Sequence, residues 1–417
     1  MRPKRNTNNK KKIINDPVYG FISLPNDIIF DLIEHPYYQR LRRIKQLGMS
    51  HLVYPGALHT RFHHALGATH LMTKAIHTLR RKGHKITEQE ETGALIAILL
   101  HDIGHGPFSH TLEHDIVKNI NHEALSSLFM QRLTKEFDGQ LDTALAIFED
   151  DYPKPFLHQL VSSQLDMDRM DYLNRDSFYT GVSEGVIGSD RIIAMLDVKD
   201  DELVVEEKGV YSIEKFLVAR RLMYWQVYMH KTVVSSEVLL SKILKRAKVI
   251  LQSGQQLFAS PAFTLFLSND FEYKDFLERP DLLEAFAELD DNDILGAVKV
   301  WQQSEDRVLS LLSRQLINRQ LFKIEIAKVP FSASRIQQEL NRVQEDLELS
   351  KEEASYFVHT EVLRNNAYNE EKETINLLMK TGDVIDVSRA ADNLNIQALS
   401  SPVQKYFLCY PVANRKK

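Results

Sequence analysis

The chain has 417 residues, enough for one large core with an appendage or for two ordinary domains, and its 43% hydrophobic and 26% charged residues exclude a disordered or fibrous protein. A formal charge of −5 and a pI near 6.4 argue against a surface built throughout for nucleic acid, while leaving room for a local basic phosphate pocket. The single cysteine, Cys409, permits neither an intramolecular disulfide nor a thiolate zinc cluster, which fits a reducing, cytoplasmic setting.

Taken in chain order, the first element is a basic tail over residues 1–15. MRPKRNTNNKKK carries Arg2, Lys4, Arg5, Lys10, Lys11 and Lys12 and no acidic residue. Asn15, Asp16 and Pro17 interrupt the next stretch, IINDPVYG, so the segment is not a secretory signal. It reads either as a solvated tail or as an arm touching nucleotide phosphates or a neighbouring subunit. Residues 27–48 show a helical recurrence broken at Pro36, and residues 65–82 a second one. The helix predicted over 88–103 ends in ALIAILL, apolar all round and therefore buried. That run is about a third of a membrane span, so no membrane partner is expected. Further helices are predicted over 121–136, 140–149, 156–175 and 213–251, with a β-hairpin from Glu202 to Ile213 turning at Lys208-Gly209. After about residue 325 short β-like runs appear: TEVL, VIDV and KYFLCYP. The expectation is a mostly α fold, with a helical core over 16–325 carrying a small β-hairpin and a smaller α+β region over 326–417.

The segment LIAILLHDIGHGPFSH carries the chemistry. An apolar helix abruptly presents His101 and Asp102, and a buried carboxylate costs several kcal/mol unless it is paired or bound to metal. His101 and His105 share a helical face, and Gly104, Gly106 and Pro107 end the helix beside them. Alone, the His-Asp dipeptide is equally a hydrogen-bonded pair at a helix end. Its company says more. HTRFHHALG upstream holds His59, His63 and His64, and SSQLDMDRMDYLNRD downstream holds Asp166, Asp168, Asp171 and Asp176. A His from one helix, a His-Asp pair from another and an Asp from a third make a mixed imidazole–carboxylate site. Such a site suits a divalent ion (Mn, Fe, Mg, Co or Zn) and leaves positions for water and phosphate oxygens.

The order H…HD…D, with NDPVYGFISL, QRLRRIKQLG, VYPGALHTRFHHALG, HDIGHGPFSH, NHEALS and DMDRMDYLNRD around it, resembles the deoxynucleoside triphosphate triphosphohydrolase branch of the HD-domain phosphohydrolases. The matches run over roughly residues 12–240. The resemblance implies an HD-domain helical core and metal ligands His64, His101, Asp102 and Asp168, with His63 on the solvent or substrate side. It implies that His110 stands beside the scissile α-phosphate, that His122 is a second active-site histidine oriented by Glu113 or Glu123, and that His105 contacts phosphate or moves a proton. It places Arg61, Arg169, Arg220 and Lys231 on the phosphates, and Gln46, Tyr172, Asp176 and Tyr228 on the deoxyribose. Arg169 replaces the more usual lysine after the metal-binding aspartate. The implied reaction is cleavage of a dNTP to deoxynucleoside and intact triphosphate.

EHPYYQRLRRIKQ resembles a regulatory region in which nucleotides bind between subunits of a homo-oligomer, a tetramer being the favoured size. The implied contacts are Lys12, Asn15, Glu34, Gln39 and Arg42. Glu34 stands where an aspartate is usual and Phe21 where a histidine is, so an activating nucleotide other than GTP or dGTP is expected. Two alternatives remain open. One is another HD chemistry, a nucleotidase or phosphodiesterase. The other is a non-catalytic nucleotide sensor or nucleic-acid-binding assembly protein, with nucleic acid a secondary partner.

Overall fold

The computed structural model describes residues 12–108, 116–117, 119–365, 374–390 and 403–412, and most of them are helical. Several helices begin where the sequence supplies caps. Helix α1 (Asp27–Ile33) starts at Asn26, whose side chain accepts from the Ile29 amide. Helix α2 (Arg61–Arg81) starts at Thr60, with the His63 ring folded back onto the Thr60 amide. Thr87 and Glu90 form a reciprocal capping box at α3 (Glu88–Leu100), every residue of which from Gly93 to Leu100 is buried. Next come α4 (His122–Glu136), capped by Asn121, then α5 (Asp142–Phe148) and α6 (Pro155–Val161). Helix α7 (Met167–Thr180) is capped by Asp166 and stopped by Gly181 at φ 74°. Helix α2 packs against both α3 and α7, so the three elements bearing the expected metal ligands meet in one core.

Four sequence expectations are corrected. The 27–48 recurrence breaks into α1, a helical turn at Pro36–Gln39 and a tighter turn at Arg40–Arg43, and residues 44–48 are not helical. The helix expected over 156–175 is two: Ser162–Asp166 is a non-helical corner in which the Asp166 carboxylate accepts from the Ser163 and Arg169 amides. The helix expected over 213–251 is also two, α8 (Val210–Met223) and α9 (Lys231–Gln252), joined by a π-helical segment at Tyr224–Tyr228. The hairpin is real but shifted. Its strands are β3 (Leu196–Lys199) and β4 (Glu202–Glu206), and it turns at Asp200-Asp201, both left-handed; Lys208-Gly209 leads into α8.

An N-terminal hairpin pairs β1 (Ile13–Asp16) with β2 (Gly20–Ser23). Beyond α9 the helical part includes α10 (Asp291–Trp301) and α11 (Arg307–Ile317). The C-terminal part contributes β5 (Lys323–Ala327), β6 (His359–Asn365) and β9 (Val403–Tyr410), paired in the order β5-β9-β6. It also contributes β7 (Asn376–Leu378) and β8 (Val384–Asp386), which extend the earlier hairpin into a sheet ordered β3-β4-β7-β8. Strand β7 runs parallel to β4, with Leu377 opposite Val205.

Candidate active site and metal centre

His64 lies in the first turn of α2, His101 just past α3 and Asp168 in the first turn of α7. Their ligating atoms converge. His64 Nε2 is 3.4 Å from His101 Nε2 and 3.0 Å from Asp168 Oδ1, and His101 Nε2 is 3.6 Å from the same oxygen. Asp102 stands at the edge of the trio, Oδ1 3.3 Å from His101 Nε2 and Oδ2 3.7 Å from His64 Nε2.

The tautomers are set from behind. His101 Nδ1 donates to the Ile98 carbonyl at 2.7 Å, and His64 Nδ1 donates to Asp171 Oδ2 at 2.7 Å. Both Nε2 atoms then present lone pairs to each other and to two carboxylates. Four acceptors facing one point repel unless protons or a cation stand between them. Without a cation, protons must serve: burial opposes charging His64, yet Asp168 and Asp171 push its pKa up to about 10, and Asp102 and Asp168 raise His101 against the same burial. Asp168, only partly buried, is held below the ordinary carboxylate range by His101 and His64 against the cost of desolvation. The two imidazole nitrogens and the Asp168 carboxylate lie close enough together to hold one divalent ion, while Asp102 groups equally with His105 and His122 beside it.

Asp171 belongs to a buried chain. Its oxygens accept from Arg175 Nε at 2.9 Å and a terminal nitrogen at 3.0 Å, and Arg175 also binds Asp16 of β1 at 2.7 Å. Gly67 makes room for it: a Cβ there would lie 2.0 Å from Asp171 Oδ1.

A second group adjoins the first. Asp102 accepts from Arg61, and His105 Nε2 is 3.2 Å from Asp102 Oδ1. The His105 ring stacks on His122 with centroids 3.8 Å apart. Burial, then the charges of Arg61 and His122, keep His105 neutral, whereas Arg61, His101 and His105 hold Asp102 ionised against burial. Asp102, Asp168, Arg61, His105 and His122 all line one cavity of about 740 Å³.

Comparison with known proteins decides the family. An HD domain model matches residues 61–176, and an HD associated region matches 187–256. A crystal structure of a phosphohydrolase from Bacteroides thetaiotaomicron is 54% identical, covers 96% of this chain and 100% of that one, and superposes with a TM-score of 0.93. The uncharacterized protein YwfO of Bacillus subtilis is 34% identical over 397 residues, 91% of this chain and 88% of that protein. The chain belongs to the HD phosphohydrolase family. A deoxynucleoside triphosphate triphosphohydrolase SAMHD1 homolog of Dictyostelium discoideum is 32% identical over 265 residues, 59% of this chain and 51% of that protein.

In this HD phosphohydrolase the cavity continues past the metal groups to Gln46, Tyr172, Asp176 and Tyr228. The Tyr228 hydroxyl donates to Asp176 Oδ2 at 2.9 Å, the other Asp176 oxygen faces His59 Nε2 at 2.7 Å, and Tyr172 meets Tyr228 edge-on. The π-helical turn gives Tyr228 its direction, since an extra residue in the turn rotates everything after it. Arg169 pairs with Asp166, and a terminal nitrogen lies 4.0 Å from Asp168 Oδ2. Arg220 donates to Gln164 at 2.9 Å, and Lys231 is an exposed residue opening α9. Among the described residues, the cations on the cavity wall are Arg61, Lys242 and Lys245, and Arg169, Arg220 and Lys231 stand off it. Glu123 is exposed and accepts from Asn121 at 3.3 Å. His110 and Glu113 lie outside the described residues.

The residues expected at a regulatory site do not line this cavity. Gln39 donates to the Ile33 carbonyl and accepts from Arg42, whose guanidinium lies over the Phe62 ring. Lys12 lies over Phe30 of α1, Glu34 is the exposed C-cap of α1, and Asn15 pairs with Phe21 in the β1–β2 ladder. Sequence reasoning gave Asp171 no role and missed Arg175 and the C-terminal wall of the cavity, where His359, Glu361 and Leu363 of β6 line it. Their spacing of two, one face of a strand, was the signal that could have found them. Among the described residues no helix is long and apolar enough to cross a membrane.

Proposed function

We propose that this chain is a metal-dependent hydrolase of deoxynucleoside triphosphates, releasing deoxynucleoside and inorganic triphosphate. The observation that carries the reading is a single cavity in which Asp168, Tyr172 and Asp176, four residues apart along one face of α7, run from the metal groups to a Tyr228–Asp176 hydrogen bond. That succession suits a phosphate at one end and a sugar at the other. A tyrosine tied to a carboxylate leaves little room for a 2′-hydroxyl and offers a polar edge to a 3′-hydroxyl. Dictyostelium and chicken proteins named as deoxynucleoside triphosphate triphosphohydrolases, 32% and 27% identical, support the substrate class, although the chain spans only 51% and 47% of their lengths.

His64, His101, Asp102 and Asp168 would hold the divalent ion, which when bound supplies Lewis acidity toward a phosphoryl oxygen and a water. Arg61 has two tasks: it fixes Asp102 and presents guanidinium charge to the cavity. His105 stays neutral and orients Asp102, and His122, stacked on it at the cavity wall, is placed to give a proton to the departing 5′-oxygen. His110, with Glu113 or Glu123 as an orienting carboxylate, belongs to the same proposal. Arg169, Arg220 and Lys231 would take up the remaining phosphate charge after leaving their present positions. Activation by a nucleotide held at Lys12, Asn15, Glu34, Gln39 and Arg42 between subunits of a tetramer, in the cytoplasm, completes it.

The test is product analysis with Mn²⁺ and each dNTP, alone and in pairs. Deoxynucleoside with intact triphosphate is the expected result, and activity confined to pairs would support the regulatory site. Release of phosphate or pyrophosphate, or no turnover, would overturn the dNTP assignment and direct attention to monophosphates and cyclic nucleotides.

A further inference from the structure

The corner Leu289–Asp291, before and at the start of α10, lies outside both matched family regions. It is nevertheless bound to two walls of the active site. Asp291, 1% exposed, uses both carboxylate oxygens on backbone. Oδ1 accepts from the Phe108 amide at 2.8 Å, and Oδ2 accepts from the Lys45 amide at 3.0 Å and from Lys45 Nζ at 3.3 Å. Phe108 ends the HDIGHGPF turn that carries His105, lines the cavity, and holds φ at 54°, a conformation a bulky residue adopts only under constraint. Lys45, whose ammonium lies over the Phe108 ring, precedes Gln46, which also lines the cavity, and its neighbour Ile44 accepts from the Arg61 amide at 3.0 Å.

Arg40 ties the same parts from inside. Fully buried, it donates to the Ile103 carbonyl at 2.7 Å and to the Leu289 carbonyl at 3.2 Å, between the Phe129 and Phe286 rings. Ile103 directly follows Asp102. One buried carboxylate and one buried guanidinium thus clamp residues 40–46, 102–108 and 289–291 together. A corner with no side chain on the cavity wall has no reason to spend two buried charges on backbone amides and carbonyls unless their spacing matters.

We propose that Asp291 is a positioning residue of the active site: by holding the Phe108 and Lys45 amides on one carboxylate, it sets the distance between the wall bearing His105 and the wall bearing Gln46. Arg40 is its counterpart on the Asp102 side. The proposal rests on the reading of the cavity as the hydrolytic site, so the test has one arm that uses no substrate.

Asp291→Ala removes both amide anchors, Asp291→Asn leaves one acceptor oxygen for three donors, and Lys74→Ala removes only an exposed ion pair to Asp190, remote from the clamp. In the substrate-free arm, hydrogen–deuterium exchange of peptides spanning 103–108 should quicken in both Asp291 variants and stay unchanged in Lys74→Ala. In the kinetic arm, with pooled dNTPs and Mn²⁺, Asp291→Ala should lose at least about tenfold in kcat per folded molecule, with KM and bound Mn²⁺ near wild type. Asp291→Asn should fall between, and it carries the test if the alanine variant does not fold. Unchanged exchange at 103–108, or wild-type kcat in both Asp291 variants alongside a lowered melting temperature, would overturn the proposal. If the wild-type protein hydrolyses no dNTP, the proposed substrate falls while the exchange arm still judges Asp291.

Discussion

Replacing Gly67 by alanine inverts an ordinary rule. On an exposed helix, Gly→Ala is stabilising by about 1 kcal/mol because the chain loses less entropy on folding. Gly67 lies on α2 three residues after His64, and a Cβ there would stand 2.0 Å from Asp171 Oδ1, 2.1 Å from an Arg175 terminal nitrogen and 2.8 Å from Asp171 Cγ. Reaching van der Waals contact requires the carboxylate to retreat by roughly 1.5 Å. It cannot retreat freely, since it is held by His64 Nδ1 at 2.7 Å and Arg175 Nε at 2.9 Å. Either α2 and α7 separate, or Asp171 gives up the histidine. Overpacking of this kind costs about 1–3 kcal/mol, and if His64 is a ligand, losing the carboxylate behind its imidazole should weaken metal affinity about 10–100-fold. Thermal melts of the metal-free protein and calorimetric titration with Mn²⁺ measure the two effects. A Gly67→Ala protein that melts at or above wild type and binds Mn²⁺ equally well would refute the reasoning.

Asp168→Ala should abolish metal-dependent turnover, as should chelation with recovery on adding Mn²⁺; undiminished hydrolysis would refute the assignment of that residue as a ligand. Asp306 caps α11 through the Leu309 amide and grips Arg246 of α9, so Asp306→Asn should destabilise by about 1–3 kcal/mol near neutrality. Burial would raise the Asp306 pKa, but Arg246 and the Leu309 amide hold it below the ordinary carboxylate range. Its contribution is therefore complete above that range and lost as pH falls through the lowered folded value, so the gap between wild type and variant should close in acid. A gap independent of pH, measured by denaturant melts, would contradict this. Burial pushes the Cys409 thiol up to about 12, so a thiol reagent at pH 8 should label it only after unfolding, and rapid native labelling would count against its placement in β9.

The cluster of His64, His101, Asp102 and Asp168 that the structure brings together was legible because each requirement had a local sign. The apolar run to Leu100 announced that His101 and Asp102 would be buried, and the interleaved aspartates announced a carboxylate-bearing helix. The break at Ser162–Asp166 was hidden by Val161 before it and Leu165 within it, apolar residues that kept a helical recurrence alive. Its sign was Asp166 itself, a cap for its own following amide at Arg169. The π-helical turn had no sign at all, since YWQVY contains neither glycine nor proline and the extra residue changes phase without changing composition. The hairpin was misplaced because Lys208-Gly209 looks like a better turn than Asp200-Asp201, although aspartate tolerates the left-handed region. Asp171 and Asp291 escaped for a different reason: each serves a partner remote in sequence, His64 and Phe108, and no local pattern encodes such a meeting.

The parallel pairing of β7 with β4 also sets a clock for synthesis. Segments carrying His64, His101, Asp168 and Tyr228 leave the ribosome well before residues 376–378, yet β4 keeps an unpaired edge beside the buried Val204 and Val205 until those residues arrive. At ordinary translation rates that interval is roughly ten to thirty seconds. Throughout it the nascent protein offers an apolar strand edge to any neighbouring extended chain, the commonest template for misassociation. The strand that ends this exposure is only three residues long. A message that stalls between codons 206 and 376 should therefore yield aggregates, even though every residue of the candidate metal centre has already been made.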